Sequence, residues 1–171
     1  PQQIFQQQYG LGDQFVVYFG FLAASLGVAS LVNAKLVMRF GMRRLSLGAL
    51  MSITFLSVPF YFLSQYYAGN PPLVQVMAYL LAVFFFVGIL FGNLNALAME
   101  PLGSVAGIGA AVVGSLSTLI SVILGVVISS AYDGTILPLV SGFALLSIGC
   151  LMVMGWTEIM SAKALKATTQ I

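Results

Sequence analysis

Ten charged residues, six basic and four acidic, are distributed over 171 positions. Four of the six basic residues fall in one short run, Asn33-Ala34-Lys35-Leu36-Val37-Met38-Arg39-Phe40-Gly41-Met42-Arg43-Arg44. Lys35 and Arg39 are four residues apart and share one face of a helix. Near the C-terminus of that helix the backbone dipole favours cations. Gly41 suits the positive φ with which many helices end. The run has two readings, a hinge or latch between two helices and a marker of membrane topology, and both can hold. Glu100, followed by Pro101, Gly103 and Ser104, is the candidate partner. Proline fits the first turn of a helix, and a carboxylate at that start meets a favourable dipole. The expectation is an ion pair from Glu100 to Arg39 or Arg43, with a solvated loop acid as the alternative.

Other chemistries lack their residues. The chain has no His and one Cys, Cys150, which excludes a disulfide framework or a Cys/His metal site within one chain. Without His there is no Ser/His hydrolase. No pair of intramembrane Asp residues is present to act as an aspartic protease, and no G-x-x-x-x-G-K-[ST] loop is present to bind a nucleotide. No carboxylate or Lys falls at the middle of an apolar stretch, so a proton relay has no obvious carrier. The reading is of a chain that is not an enzyme, with no cofactor, no metal and no nucleic-acid partner, since a net charge of +2 by itself implies none.

Composition determines where these residues must sit. Hydrophobic residues make up 60% and charged ones 6%, against about 25% charged in a soluble domain. Such a chain cannot build an ordinary water-facing surface, and its apolar excess must face lipid. Stretches free of Asp, Glu, Lys and Arg run over 14–34, 45–99, 101–132 and 134–157. A spanning helix needs about 20 residues, and the second stretch breaks at Ala68-Gly69-Asn70-Pro71-Pro72, a strong turn signal. The expectation is an all-α polytopic membrane protein, a single domain with spans near 14–36, 45–66, 73–99, 104–131 and 136–157. Alternation across five spans puts all six basic residues on one face. The positive-inside rule makes that face cytoplasmic, with the N-terminus outside and the C-terminus inside. Tyr66, Tyr67 and Tyr132 then lie at the outer boundary and Trp156 at the inner one. Asp133-Gly134 reads as a turn, with Pro138 in the first turn of the fifth span. The polar, Gln-rich start at Pro1 reads as an interior point of a longer chain, ahead of the alternatives of a processed or an edited start.

Helices in lipid associate through close packing of small residues. The fourth span is richest in them, with Ala106, Ala110, Gly114 and Thr118 on one stripe and Ser117, Ser121, Gly125 and Ser129 on another. It is expected to be central, surrounded by other helices. The second span, carrying Leu, Phe and Tyr, is expected to face lipid. Asn33, Asn93 and Asn95 either bond between helices or line a substrate path. Cys150 is expected to be a small packing residue.

The run 33–44, then GNLNALAMEPLGSVAGIGAAVVGSLSTL (92–119), then YDGTILPLVSGF (132–143), resembles the C-terminal half of major facilitator transporters. More narrowly it is similar to Bcr/CflA-type drug:proton antiporters, in order and over nearly the whole chain. The resemblance implies that the five spans are helices eight to twelve of twelve, a partial C-terminal half, with the N-terminal half missing. It implies a parent in the cell's inner membrane that exports amphiphilic compounds against protons. Spans one, three and four would border a central cavity, with two and five outside. On that reading Asn33, Arg39, Gly41, Arg43, Arg44 and Glu100 form a cytoplasmic gate, and Phe19, Ala23, Phe85, Gly92, Gly114 and Thr118 face the cavity. The proton-titrating acids of the family lie in the other half, and none carries over to this sequence. One partial half cannot perform alternating access alone. The rival reading is a non-transporting membrane subunit that docks on partner helices.

Overall fold

A computed structural model of the chain describes residues 4–168. It is helical, with no strand among the described residues. A π-helical turn over Ile4–Gln8 and a 3-10 turn over Gly12–Gln14 lead into α1 (Phe15–Phe40). Then come α2 (Met42–Tyr66), α3 (Leu73–Met99), a 3-10 connection over Glu100–Val105, α4 (Ala106–Ser130) and α5 (Leu137–Thr168). Five segments among the described residues are long and apolar enough to cross a membrane: Gly12–Phe40, Met42–Tyr66, Leu73–Gly103, Gly107–Ser130 and Leu137–Thr157. The chain is therefore an all-α protein of five membrane-spanning helices. The 32 residues of α5 extend about 48 Å, well beyond a hydrocarbon core of about 30 Å.

The helices end where the sequence removes the means to continue. Gly41, at φ 78°, is the one non-helical residue between α1 and α2. Its N–H closes α1 on the Val37 carbonyl at 2.9 Å, and its own carbonyl accepts from the Leu45 N–H at 3.2 Å. Pro71 and Pro72 lack N–H groups, so the chain from Tyr67 to Pro72 turns and re-enters as α3. At Gly103, φ 32° and ψ −106° break the path from α3 into α4.

α3 lies between α1 and α2, and α2 lies between α3 and α5. The α1–α3 seam is close: a Cβ placed on Gly88 would stand 2.7 Å from Ala29 Cβ and 3.2 Å from the Leu26 carbonyl. Ser25 Oγ donates across it to the Leu81 carbonyl at 2.8 Å. On α2, Ser46, Ala49, Leu50, Ile53, Ser57, Phe60 and Ser64 are buried, recurring every three or four residues. Phe60 stacks on Tyr79 of α3 at 4.2 Å between ring centres, and Ser57 Oγ and the Tyr79 hydroxyl share a hydrogen bond of 2.9 Å. Thr54 Oγ1 donates to Ser147 Oγ of α5 at 2.9 Å.

Two expectations about placement change. α2 is not simply a lipid-facing helix, because its small-residue stripe is enclosed by α3 and α5 while Met51, Phe55, Phe62 and Tyr66 stay exposed. α4 is not central among these five helices. It touches α5, α3 and the connection before it only lightly, and Gly109 alone is buried among its described side chains. Small residues allow close approach, but a neighbour is needed to make it, and this bundle places none around α4.

Candidate functional site

At the basic end, the gate candidates sit where three helices terminate. Arg39 is exposed in the last turn of α1, with its guanidinium carbon 5.4 Å from the Phe40 ring centre. Arg43 and Arg44 are exposed in the first turn of α2. Glu100 is exposed at the end of α3. This exposure is that of a solvated loop acid, and Arg43 is not without a partner. Lys163 and Lys166 fall on the backbone of α5 at this same end, and their side chains lie outside the described residues.

The polar residues that do meet are the asparagines. Asn33 Nδ2 donates to Asn93 Oδ1 at 3.1 Å, and Asn93 Nδ2 donates to Asn33 Oδ1 at 2.8 Å. This reciprocal amide pair fastens α1 to α3, and Asn93 is fully enclosed. Gly92 lies beside it, with its Cβ position 3.6 Å from Asn33 Nδ2. Asn95 instead stays exposed and donates to its own helix at the Phe91 carbonyl, 2.8 Å away.

The cavity-facing candidates divide. Phe19 and Ala23 lie on an exposed face of α1, and Gly92 is exposed on neighbouring α3. Phe85 is half-buried on α3, edge-on to Phe86 with ring centres 5.5 Å apart. Gly114 and Thr118 are exposed on α4, and Thr118 Oγ1 donates to the Gly114 carbonyl at 2.8 Å. The α1–α3 candidates are thus on adjoining helices, whereas the α4 pair stands apart from them.

The end without Lys or Arg holds a clasp for which the sequence carried no clear signal. Residues 4–9, 67–72 and 132–136 meet there. The Gly69 carbonyl accepts from Gln8 Nε2 at 3.0 Å and from the Ile136 N–H at 3.1 Å. Gln8 Nε2 also reaches Asn70 Oδ1 at 2.9 Å. The Tyr9 hydroxyl donates to the Pro71 carbonyl, and burial pushes its phenol up to about 12. Gly69 must be glycine: φ is 82°, and a Cβ would fall 2.5 Å from Thr135 Cβ. Phe5, fully buried, leans on Phe15 and stacks on Tyr18. Asp133 accepts from Thr135 Oγ1 at 2.6 Å and from the Thr135 N–H at 3.0 Å. The Thr135 hydroxyl bond is the main reason that its carboxyl lies below the usual range. Thr135 Oγ1 in turn accepts from the Leu137 N–H at 3.3 Å and starts α5.

The two ends therefore differ in kind. One carries no Lys or Arg and is tied by hydrogen bonds to backbone carbonyls, and the other holds the basic residues. Such a body holds helices in register across a bilayer and presents exposed polar and small residues on α1, α3 and α4. No family model, no curated protein and no solved structure matches the chain.

Proposed function

We propose that the chain is part of a proton-coupled secondary transporter that exports amphiphilic small molecules, and that further helices complete it. The observation that carries this reading is α4. Spanning helices exposed all round are usually bulky and apolar, because lipid makes no demand for small residues. α4 instead carries stripes of Gly, Ala and Ser at helical spacing, and the described part of them is left almost wholly exposed by the other four helices. Stripes of that kind are how one membrane helix approaches another. The likeness of residues 33–44, 92–119 and 132–143 to major facilitator antiporters supports which helices those are, an N-terminal half facing α1, α3 and α4. The six basic residues support a cytoplasmic basic end in the inner membrane, with the N-terminal clasp outside.

Reconstitution tests the proposal. The 171-residue chain is placed in liposomes with an imposed pH gradient, alone or with the N-terminal half of a Bcr/CflA-type antiporter, and efflux of a fluorescent cationic dye is followed. Gradient-driven flux is expected only when both parts are present. Flux by the chain alone would overturn the half-transporter reading. Stable association without flux in any pairing would favour the rival, a docking subunit, which the same open α4 face also supports.

A further inference from the structure

We infer that the groove between α2 and α3 toward the clasp end binds phosphatidylethanolamine, with an acyl chain along the groove and the headgroup ammonium at Gln75. The groove has a volume of about 700 Å³, within the roughly 300–1,000 Å³ of pockets that hold small ligands. Leu56, Pro59 and Leu63 of α2 form one wall, and Ala78 and Ala82 of α3 the other. Pro59, Ala78 and Ala82 are short, which hollows the surface between the bulkier residues. Phe55 lies at the deep end and is 78% exposed, and Leu63 lies at the shallow end and is 39% exposed. Gln75, in the first turn of α3, closes the shallow end. Its Oε1 is enclosed and has no hydrogen-bond partner. The other polar side chain of the lining, Tyr79, is already bonded to Ser57 Oγ at 2.9 Å. An enclosed acceptor without a donor is costly, most of all where lipid replaces water. Turning the amide about χ3, which is broad and roughly two-fold, presents its oxygen to the groove.

Three features select the occupant. The groove lies on membrane-spanning helices, and from Leu63 to Phe55 it follows about 12 Å of helix. That is close to the roughly 15 Å of one leaflet's hydrocarbon, so an acyl chain of the bilayer fits it. The unpaired group is an acceptor, which an ethanolamine head satisfies with its N–H donors. A choline head has the same charge and the same tails but no N–H. Finally, among the described residues the charges at this end are Asp13 and Asp133, and no Lys or Arg lies there, so an anionic lipid gains no partner. The phosphate of the zwitterion faces the start of α3 at Leu73 and Val74, where helix N–H groups lack an intrahelical acceptor and favour an anion. The inference does not depend on transport, and its failure would leave the transport reading untouched.

A single tryptophan makes the test direct. Trp156 is the only Trp, so Trp156→Phe with Phe55→Trp leaves one reporter, an aromatic ring at the deep end of the groove. The full chain carrying both changes is reconstituted in phosphatidylcholine vesicles with rising fractions of bromoacyl phosphatidylethanolamine or bromoacyl phosphatidylcholine, and quenching is recorded. Half-quenching is expected at about a tenfold lower fraction of the ethanolamine lipid, the preference that one hydrogen bond from a charged donor confers. The bromoacyl N,N-dimethylethanolamine lipid, which keeps one N–H, should fall between the two. Gln75→Leu should bring the ratio close to one. It removes an unpaired acceptor and no bond, so the fold is kept, and unchanged helical circular dichroism checks that. Gln75→Glu keeps an acceptor and adds a charge opposite to the ammonium, and should raise the ratio. Equal quenching by the ethanolamine and choline lipids in the reporter chain would overturn the inference. So would a tenfold preference surviving in Gln75→Leu, a lower ratio in Gln75→Glu, or stronger quenching by bromoacyl phosphatidylglycerol than by the ethanolamine lipid.

Discussion

Single residues act here mostly through hydrogen bonds that lipid cannot replace. The Asn33–Asn93 pair satisfies two amides against each other. Removing one partner strands the other, which costs about 1–3 kcal/mol for a buried group. Asn33→Leu and Asn93→Leu should each lower the melting temperature, and the double variant should recover most of the loss. A double-mutant cycle followed by helical circular dichroism measures the coupling, expected near the roughly 0.6–2 kcal/mol of such membrane pairs. Tyr9 gives a pH-dependent case. The folded chain holds its phenolic proton to about pH 12, whereas the unfolded chain releases it near pH 10.0. Between those values the folded state binds more protons, so stability falls as pH rises through the window and is unaffected below it. Tyr9→Phe should make that alkaline decline shallower by removing the Tyr9 share of it, at the loss of about 1 kcal/mol for the hydroxyl bond at neutral pH. Melting curves at pH 8 to 12 on both chains check this. Of these residues, the asparagines were legible as polar groups within apolar spans. Gln8 and Tyr9 were not, because a Gln-rich stretch reads the same whether it is solvated or folded over a loop.

At the scale of helices, fit decides which faces meet. α1 and α3 approach through Ala29 and Gly88, and the backbone of Leu26 leaves no room for a larger group at Gly88. Gly88→Leu should push the two helices apart, break the Ser25 and asparagine bonds beside the seam, and cost about 1–3 kcal/mol or more. Gly20→Leu on the open part of α1, where a Cβ meets nothing within 4 Å, should leave the melting temperature nearly unchanged. α2 shows why the sequence misled about facing. Its Leu, Phe and Tyr residues dominate by size, so it reads as bulky. Its Ser46, Ser57 and Ser64 recur at helical spacing and form the enclosed stripe. That periodicity was present in the sequence, but small residues on α4 at the same spacing stayed open, so spacing alone does not choose the helix that gets a partner.

Across the whole molecule, the two ends have opposite characters, and this sets the orientation experiment. Asn70 and Asp133 lie in the loops of the clasp end, while Lys35 and Arg44 flank the α1–α2 junction at the other. In a Cys150→Ser background, single cysteines at 70 and 133 should react with an impermeant maleimide from one side of sealed vesicles. Cysteines at 35 and 44 should react from the other side, and the charge rule puts that second side in the cytoplasm. Reaction of all four from one side would contradict the five-span path.

The sequence by itself determined that the chain is helical and lipid-facing, how many times it crosses, and which end carries the cations. Those properties depend on length, apolar content and charge position, each of which is local to a stretch of about 20 residues. Only the tertiary structure decided that α2 is enclosed and α4 open, that Asn33 meets Asn93 while Glu100 stays exposed, and that Gly69 joins three separate segments. These depend on distances between residues from 22 to 93 positions apart, each pair on different helices or loops. In a bilayer, where burying Leu against Leu gains little over facing lipid, no simple hydrophobic pattern encodes them.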